Sequence, residues 1–146
     1  MKKFISKNPK ETKKIAGKLL KNLTGGEILG LIGNLGSGKT LFVQGLAEAM
    51  GIKEVVNSPT FVLMKIYKIR DSRLVIRELV HLDAYRLNLF AQLKEIGVEE
   101  YLNKKNCLMV VEWADKVKEI KKYPKYQEII FEEGNNVNER IIKIKD

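Results

Sequence analysis

Gly33-Asn34-Leu35-Gly36-Ser37-Gly38-Lys39-Thr40 fits the pattern G-x-x-x-x-G-K-[ST] at every fixed position, and this stretch decides the fold. The backbone N–H groups of such a loop wrap closely around a β-phosphate, so glycines stand where a Cβ would collide or where φ is positive. Lys39 supplies a mobile positive charge to the β- and γ-phosphates, and the Thr40 hydroxyl is suited to ligate Mg²⁺. The stretch therefore predicts a phosphate loop, residues 33–40.

The segments on either side of the phosphate loop match this prediction, because such a loop joins a strand to a helix. Residues 27–32 form a nearly continuous apolar run, typical of a parallel strand that is buried on both faces. After the loop, apolar residues recur at helical spacing from Lys39 until Gly51, which can adopt a left-handed conformation and end the helix. The N-terminus of that helix is expected to point at the phosphates.

A second apolar strand, Cys107–Glu112, ends in an acid. Nucleotide hydrolysis needs Mg²⁺ held from a second strand, and ligand sites of open α/β sheets lie at the carboxyl ends of the strands. Glu112 is therefore predicted to ligate Mg²⁺, directly or through water, next to the phosphate loop. The alternative is a glutamate at the end of a strand that faces solvent.

A hairpin is predicted between the first helix of the nucleotide site and Cys107–Glu112, with strands at residues 61–69 and 74–82. His81 and Asp83 lie two residues apart at its end, so their side chains point to the same side. Asp83 competes with Glu112 for the metal or positions the attacking water. Its alternative role is an ion pair with Arg86 that stabilises a turn. His81 is interpreted as a structural neighbour rather than a base.

The remaining elements complete an α/β fold. Asn8 and Pro9 predict a helix start, and residues 126–132 and 140–144 predict a terminal hairpin. The expected architecture has three layers, like that of P-loop NTPases. Its central sheet is mixed and mostly parallel, with inserted and terminal antiparallel hairpins, in one ATPase domain over residues 1–146.

Composition narrows the class of protein further. Hydrophobic residues make up 45% and charged residues 31%, and no apolar run reaches the roughly 20 residues that a membrane helix needs. No secretory signal is visible, so a cytoplasmic protein without membrane association is expected. Cys107 is the only cysteine, which excludes a disulfide within the chain. The net charge of +9 suits a polyanion such as RNA, or simply a lysine-rich solvated surface.

Four blocks of the sequence together resemble the TsaE family, also called YjeE, of small bacterial ATPases that are needed for threonylcarbamoyl-adenosine modification of tRNA. The phosphate loop resembles the family's G-D-L-G-A-G-K-T, and Asn57-Ser58-Pro59-Thr60-Phe61 resembles K-S-P-T-[YF]. Residues 81–87, His-Leu-Asp-Ala-Tyr-Arg-Leu, resemble H-x-D-x-Y-R-L, and residues 111–114, Val-Glu-Trp-Ala, resemble [IV]-E-W-P. The order and spacing of the blocks agree over nearly the whole chain.

The resemblance implies a role for each matching residue. Lys39 and Asp83 would serve ATP hydrolysis, and Thr40 and Glu112 would hold Mg²⁺. The segment Ser58-Pro59-Thr60 would act as a nucleotide-sensing switch. The positions expected to bind ATP are Thr12, Gly33, Leu35, Gly36, Ser37, Gly38, Lys39, Thr40, Leu41 and Trp113.

The same resemblance implies that the protein does not transfer the threonylcarbamoyl group itself. It is expected to act as an ATPase, weak when alone, on a pair of TsaD and TsaB type proteins, with tRNA reached through that complex. Three positions depart from the family pattern: Asn34 replaces an acid, Leu41 a second threonine and Ala114 a proline. The change at Leu41 removes a hydroxyl near the α-phosphate and could weaken affinity.

Three other functions compete with this interpretation. A small-molecule or nucleoside kinase could use the same loop, but no arginine-bearing lid segment is apparent. A GTP-binding switch protein would need N-K-x-D, whereas residues 103–106 read Asn-Lys-Lys-Asn. A basic RNA-binding module with a vestigial loop would need aromatic residues within basic strands, and these are missing.

Overall fold

The computed structural model describes residues 1–59, 63–71, 73–87 and 90–145. Its strands are β1 (Lys2–Ser6), β2 (Ile28–Ile32), β3 (Met64–Lys68), β4 (Glu78–Asp83), β5 (Cys107–Glu112), β6 (Tyr126–Glu133) and β7 (Arg140–Lys145). Its α-helices are α1 (Pro9–Leu20), α2 (Lys39–Ala49) and α3 (Phe90–Glu95), and short 3₁₀ helices lie at Val98–Glu100, Ala114–Lys116 and Lys118–Lys122.

Within the described ranges, the strands form one seven-stranded sheet in the order β1-β7-β6-β2-β5-β4-β3. Its centre is parallel, because β2 pairs in parallel with β5 and β6, and β5 pairs in parallel with β4. The outer pairs β3–β4, β6–β7 and β1–β7 are antiparallel. The predicted mixed sheet, with a parallel centre and antiparallel hairpins, is confirmed.

The register of the central strands brings the loop and the two predicted acids to one edge of the sheet. Leu31 of β2 pairs with Glu112 of β5, and Asp83 of β4 pairs with the same glutamate. Since these strands run in parallel, their carboxyl ends meet at the edge where the phosphate loop leaves β2. Topology thereby places side chains that are far apart in sequence within reach of one another.

Two buried layers of apolar side chains flank the sheet and confirm the three-layer arrangement. On one face, α1 and α2 pack against residues such as Leu29 and Val110. On the other face, α3 and the 3₁₀ segments pack against residues such as Met109 and Val111. Successive residues of β5 alternate between these two cores, as the period of a strand buried on both faces requires.

The structure differs from the sequence-based expectations at several boundaries. β1 was not predicted, because its residues are mostly exposed and its stability comes from pairing with β7. The inserted hairpin has strands at Met64–Lys68 and Glu78–Asp83, so its second strand begins at residue 78 instead of 74 and ends at 83 instead of 82. Residues 60–62 lie outside the described ranges.

None of the helices in the described part of the chain has the length and apolar character needed to span a membrane.

Candidate nucleotide site

Two glycines of the phosphate loop adopt backbone angles that other residues rarely reach. Gly36 has φ of +74° and Gly38 has φ of +104°. Gly33 is required for a different reason, since a Cβ there would lie 2.6 Å from Ser37 Oγ and 2.9 Å from Phe131 Cβ. The loop conformation therefore depends on positive φ at two positions and on close packing at a third.

The two long helices differ at their N-termini. In α1, the Asn8 side chain accepts a hydrogen bond from the Glu11 N–H at 2.9 Å. In α2, Gly38 occupies the N-cap position, and no side chain caps the helix. No acidic residue lies in the first turn of α2 either. The partial positive charge and N–H groups at this end are thus directed at the loop, as anion-binding helix ends require.

Lys39 is buried beneath the loop that it is predicted to serve. Its Nζ donates to the carbonyl oxygens of Gly33 at 2.6 Å and Asn34 at 2.9 Å, and it lies 4.0 Å from the ring centre of Trp113. Burial lowers the pKa of the Lys39 ammonium, an effect that the nearby carboxylates of Glu112 and Asp83 oppose. The ammonium group is therefore held in place by carbonyls, a ring face and surrounding negative charge.

Glu112 connects the phosphate loop to the neighbouring strands. The Thr40 hydroxyl, in the first turn of α2, lies 2.8 Å from Glu112 Oε1 and 3.1 Å from Oε2. The His81 Nε2 atom lies 2.8 Å from the same Oε1. The side chain of Glu112 is only 4% exposed, so it is not a solvent-facing strand end.

Asp83 lies on the adjacent strand and has other partners. One carboxylate oxygen accepts from the Tyr85 backbone N–H at 2.9 Å, which forms a tight turn after β4. The other oxygen accepts a short hydrogen bond from the Ser58 hydroxyl, which belongs to the predicted switch segment. Each of the two acids therefore lies against a hydroxyl group from a different part of the chain, Thr40 for Glu112 and Ser58 for Asp83.

A cleft of about 510 Å³ collects most of the predicted site residues. They are Thr12, Leu35, Gly36, Ser37, Gly38, Lys39, Thr40, Leu41, Ser58, Asp83, Glu112 and Trp113. Gly33 does not line this cleft and instead lines a neighbouring cavity together with Phe131. Pro59 is buried and does not line the cleft, and Thr60, the third residue of the predicted switch, lies outside the described residues.

The cleft also contains residues that sequence reasoning did not single out as binding residues: Asn8, Pro9, Tyr85, Asn138 and Arg140. Arg140 comes from the terminal hairpin, and its guanidinium donates to the carbonyl oxygens of Val137, Glu139 and Gly36. No local pattern indicates this, because only the pairing of β6 with β2 brings the hairpin beside the loop. The ring of Tyr85 contacts that of Trp113 in a tilted arrangement, with a ring-centre distance of 4.9 Å and an interplanar angle of 55°. Its place in H-x-D-x-Y was the available signal.

The ligand types at the bottom of the cleft suit a hard divalent cation. Thr40 and Glu112 offer hydroxyl and carboxylate oxygens within 3.1 Å of each other. Mg²⁺ in nucleotide sites takes one or two protein oxygens and completes its shell with phosphate oxygens and water. Within the described residues, no group of three or more His, Cys, Asp and Glu side chains forms a metal site. The oxygens of Thr40 and Glu112 beside the phosphate loop therefore match a nucleotide-bound Mg²⁺ site, in which the protein supplies only one or two ligands.

Comparisons with known proteins agree on one family. The sequence model described as "Threonylcarbamoyl adenosine biosynthesis protein TsaE" matches residues 6–142. The chain is 36% identical to the tRNA threonylcarbamoyladenosine biosynthesis protein TsaE of Bacillus subtilis, over 94% of this chain and 82% of that protein. It is 33% identical to the protein of the same name from Aquifex aeolicus, over 81% of this chain and 80% of that protein.

A solved structure shows the same likeness. The crystal structure of Bacillus subtilis YdiB superimposes with a TM-score of 0.75 at 31% sequence identity, and the match covers 98% of this chain and 83% of that one.

Proposed function

This chain belongs to the TsaE family, and from that premise we propose that it is an ATP-binding and ATP-hydrolysing accessory protein in threonylcarbamoyl-adenosine modification of tRNA. It acts on a TsaD–TsaB type pair and does not transfer the threonylcarbamoyl group itself. The tRNA is reached through that complex, and the net charge of +9 favours contact with such a polyanion. The proposed location is the cytoplasm.

One observation carries the ATPase proposal. Thr40, at the end of the phosphate loop, is hydrogen-bonded to Glu112 on the neighbouring parallel strand at 2.8 Å. A buried acid against the threonine of a phosphate loop is the arrangement in which a nucleotide and its Mg²⁺ are held together. A loop that served only as a turn would not need a buried carboxylate at this position.

The phosphate loop, Lys39, Thr40, Glu112 and Asp83 each have a proposed part in the reaction. The loop N–H groups and the N-terminus of α2 bind the phosphates, and Lys39 neutralises charge on the β- and γ-phosphates. Thr40 and Glu112 hold Mg²⁺, which when bound offsets the charge that develops on the phosphate oxygens. Asp83 orients the attacking water.

The contact between Ser58 and Asp83 gives the proposed switch a physical basis. While the Ser58 hydroxyl donates to Asp83, one carboxylate oxygen is engaged and the other is bound by the Tyr85 N–H. Each oxygen keeps a lone pair that can accept from water, but the orientation of the Asp83 carboxylate is set in part by Ser58 and would change when Ser58 moves away. A rearrangement of the switch segment would therefore couple nucleotide state to the catalytic carboxylate.

Partner stimulation is proposed because Arg140, which lines the cleft, is already engaged by backbone carbonyl groups. The Arg140 guanidinium donates to carbonyl groups of the terminal hairpin and the phosphate loop. An arginine that arrives in trans at the γ-phosphate accelerates such reactions about 10³-fold or more. Slow hydrolysis by the isolated chain and faster hydrolysis in the complex are the expected result.

The test is ATP hydrolysis by the pure protein, measured alone and with a TsaD–TsaB pair. ATP with Mg²⁺ should first raise the melting temperature, and GTP should raise it less, because a ligand that binds only the folded state stabilises it. The partners should then increase turnover. The Lys39→Ala variant, which lacks the positive charge that neutralises the phosphates, is the matched control. It should lose both the ATP-induced rise in melting temperature and the stimulation by the partners.

Two results would contradict the proposal. An ATP-induced rise in melting temperature that persists unchanged in Lys39→Ala would show that ATP does not bind at the phosphate loop. Rapid turnover by the isolated chain that the partners leave unaltered would favour the small-molecule or nucleoside kinase instead, and phosphorylation of an acceptor would identify it.

A further inference from the structure

The only histidine of the chain, His81, contacts Glu112 of the nucleotide site but does not itself line the cleft. His81 is fully buried, with 0% of its side chain exposed, in the central part of β4. Its backbone pairs with Val110, two residues before Glu112, so its ring lies on the same face of the sheet as the Glu112 carboxylate. The ring Nε2 is 2.8 Å from Glu112 Oε1.

The two ring nitrogens of His81 have unequal surroundings. Nε2 contacts a carboxylate, which only accepts hydrogen bonds when ionised, so Nε2 must carry the proton. Nδ1 is buried and has no hydrogen-bond partner among the described residues. A proton on Nδ1 would leave a buried donor unsatisfied, whereas an unprotonated Nδ1 leaves only a lone pair. The surroundings therefore favour a hydrogen on Nε2, directed at Glu112 Oε1, over one on Nδ1.

Glu112 needs such a partner because its side chain has several rotatable bonds. Thr40 approaches both carboxylate oxygens, at 2.8 and 3.1 Å, and by itself leaves the carboxylate free to rotate about that contact. The hydrogen bond from His81 is made to Oε1 alone. It comes from β4, which lies on one side of β5, whereas Thr40 follows β2 on the other side. Two bonds from different directions fix the plane of the carboxylate.

We propose that His81 is a positioning residue for the divalent cation: its Nε2–H holds Glu112 Oε1 so that the carboxylate and the Thr40 hydroxyl face the cation in one orientation. This inference rests on the proposed function, since it assigns Glu112 to Mg²⁺. The packing alone does not account for His81, because an apolar residue would fill the same space without an unpartnered nitrogen. Outer partners of this kind typically change metal affinity about 10- to 100-fold when removed.

The test compares three variants by the Mg²⁺ concentration that gives half of the ATP-induced rise in melting temperature. His81→Leu removes the donor and should raise that concentration about 10- to 100-fold. His81→Gln retains an N–H at a similar reach and should restore most of the wild-type value. Val80→Ala is the control for lost packing, because Val80 lies in the same strand but faces the other core. It should lower the melting temperature without changing the Mg²⁺ requirement.

A second measurement does not depend on nucleotide. Because the chain has one histidine, the long-range ¹H–¹⁵N couplings of its imidazole can be assigned without ambiguity. The wild type should show a hydrogen on Nε2, the nitrogen that contacts Glu112. A predominant Nδ1–H tautomer would overturn the inference, and this result remains available where His81→Leu fails to fold.

The outcomes separate this inference from the proposed function. A wild-type protein without any Mg²⁺-dependent ATP shift would contradict the proposed function, and with it the metal part of the inference. A normal shift in the wild type, with an unchanged Mg²⁺ requirement in His81→Leu, would leave the proposed function intact and overturn the role of His81. A higher requirement in His81→Leu that His81→Gln does not reduce would also overturn it, because the donor would then not be the cause.

Discussion

The two acids at the end of β4 and β5 differ in the hydroxyl group that each one touches. Glu112 accepts from Thr40, which belongs to the phosphate loop and its helix. Asp83 accepts from Ser58, which belongs to the segment between α2 and β3. Their backbones are paired in register, so the distinction arises from side-chain surroundings alone. This division predicts different kinetic consequences for the two residues.

Isosteric amide variants should separate the roles of these acids. Glu112→Gln removes the charge beside Thr40 and should weaken Mg²⁺-dependent ATP binding, with little change when ATP is bound without Mg²⁺. Asp83→Asn should lower turnover of the bound complex by about 10²-fold or more while the affinity for ATP changes little, because general base assistance contributes roughly that much. Equilibrium binding with and without EDTA, together with single-turnover hydrolysis, measures both effects.

The assignment fails if both variants lose affinity equally while the turnover of bound ATP stays intact. Thr40→Val would serve as the reference for Glu112→Gln, because it removes the hydroxyl while nearly preserving side-chain volume.

At the scale of elements, the crossing of α1 and α2 sets where the two sides of the cleft meet. α2 begins at the phosphate loop, and α1 begins at Asn8 and Pro9, which also line the cleft. The helices approach closely at Gly45 of α2, where an added Cβ would lie 2.6 Å from Lys13 Cα and 2.8 Å from its carbonyl oxygen. Those neighbours are backbone atoms and cannot rotate away, so a larger residue must separate the helices.

Gly45→Ala should therefore reduce the free energy of unfolding by about 1–3 kcal/mol, the usual cost of overpacking. Gly17→Ala, in α1, is the matched control, because its added Cβ would meet Ala49 Cβ at an ordinary 3.5 Å. That change should stabilise the protein by about 0.4–1 kcal/mol through a less flexible unfolded chain and a better helix former. Urea unfolding at constant m-value measures both.

The essential result is that the free energy of unfolding changes in opposite directions in the two glycine variants. Gly45→Ala at or above wild-type stability would mean that the helices do not cross as closely as described, and the position of Asn8 beside the loop would lose its support.

At the scale of the whole molecule, the reactivity of Cys107 reports how often the central sheet opens. It is the only cysteine in the sequence, and its thiol is buried in β5, near the middle of the sheet. Burial raises the pKa of this thiol to about 12. Thiol reagents react with the thiolate. In the folded protein the sulfur is shielded from such reagents, and very little of it is in the thiolate form.

Labelling of Cys107 by a thiol reagent at pH 8 should therefore follow opening of the sheet and be far slower than in denaturant. ATP with Mg²⁺ at about 100 times its Kd should slow labelling about 100-fold, because binding reduces the open population by that factor. The Lys39→Ala protein, treated in the same way, should show no slowing. Labelling of the native protein as fast as in denaturant would contradict the buried position of β5.

Much of the fold follows from local sequence patterns. Continuous apolar runs predict β2 and β5, because strands buried on both faces have no polar side. The G-x-x-x-x-G-K-T pattern and helical spacing predict the phosphate loop and α2. β1 could not be predicted, since its mostly exposed residues carry no periodic signal and its stability comes from pairing with a strand at the other end of the chain.

The sequence by itself identified the family and predicted the phosphate loop and the two acids, because each depends on residue types at short and fixed spacing. Only the tertiary structure decided which group contacts which: Glu112 with Thr40 and His81, Asp83 with Ser58, and Arg140 beside Gly36. Those contacts depend on strand order and register across the sheet. Long-range pairing is set by the burial of whole faces and leaves no trace in the spacing of nearby residues.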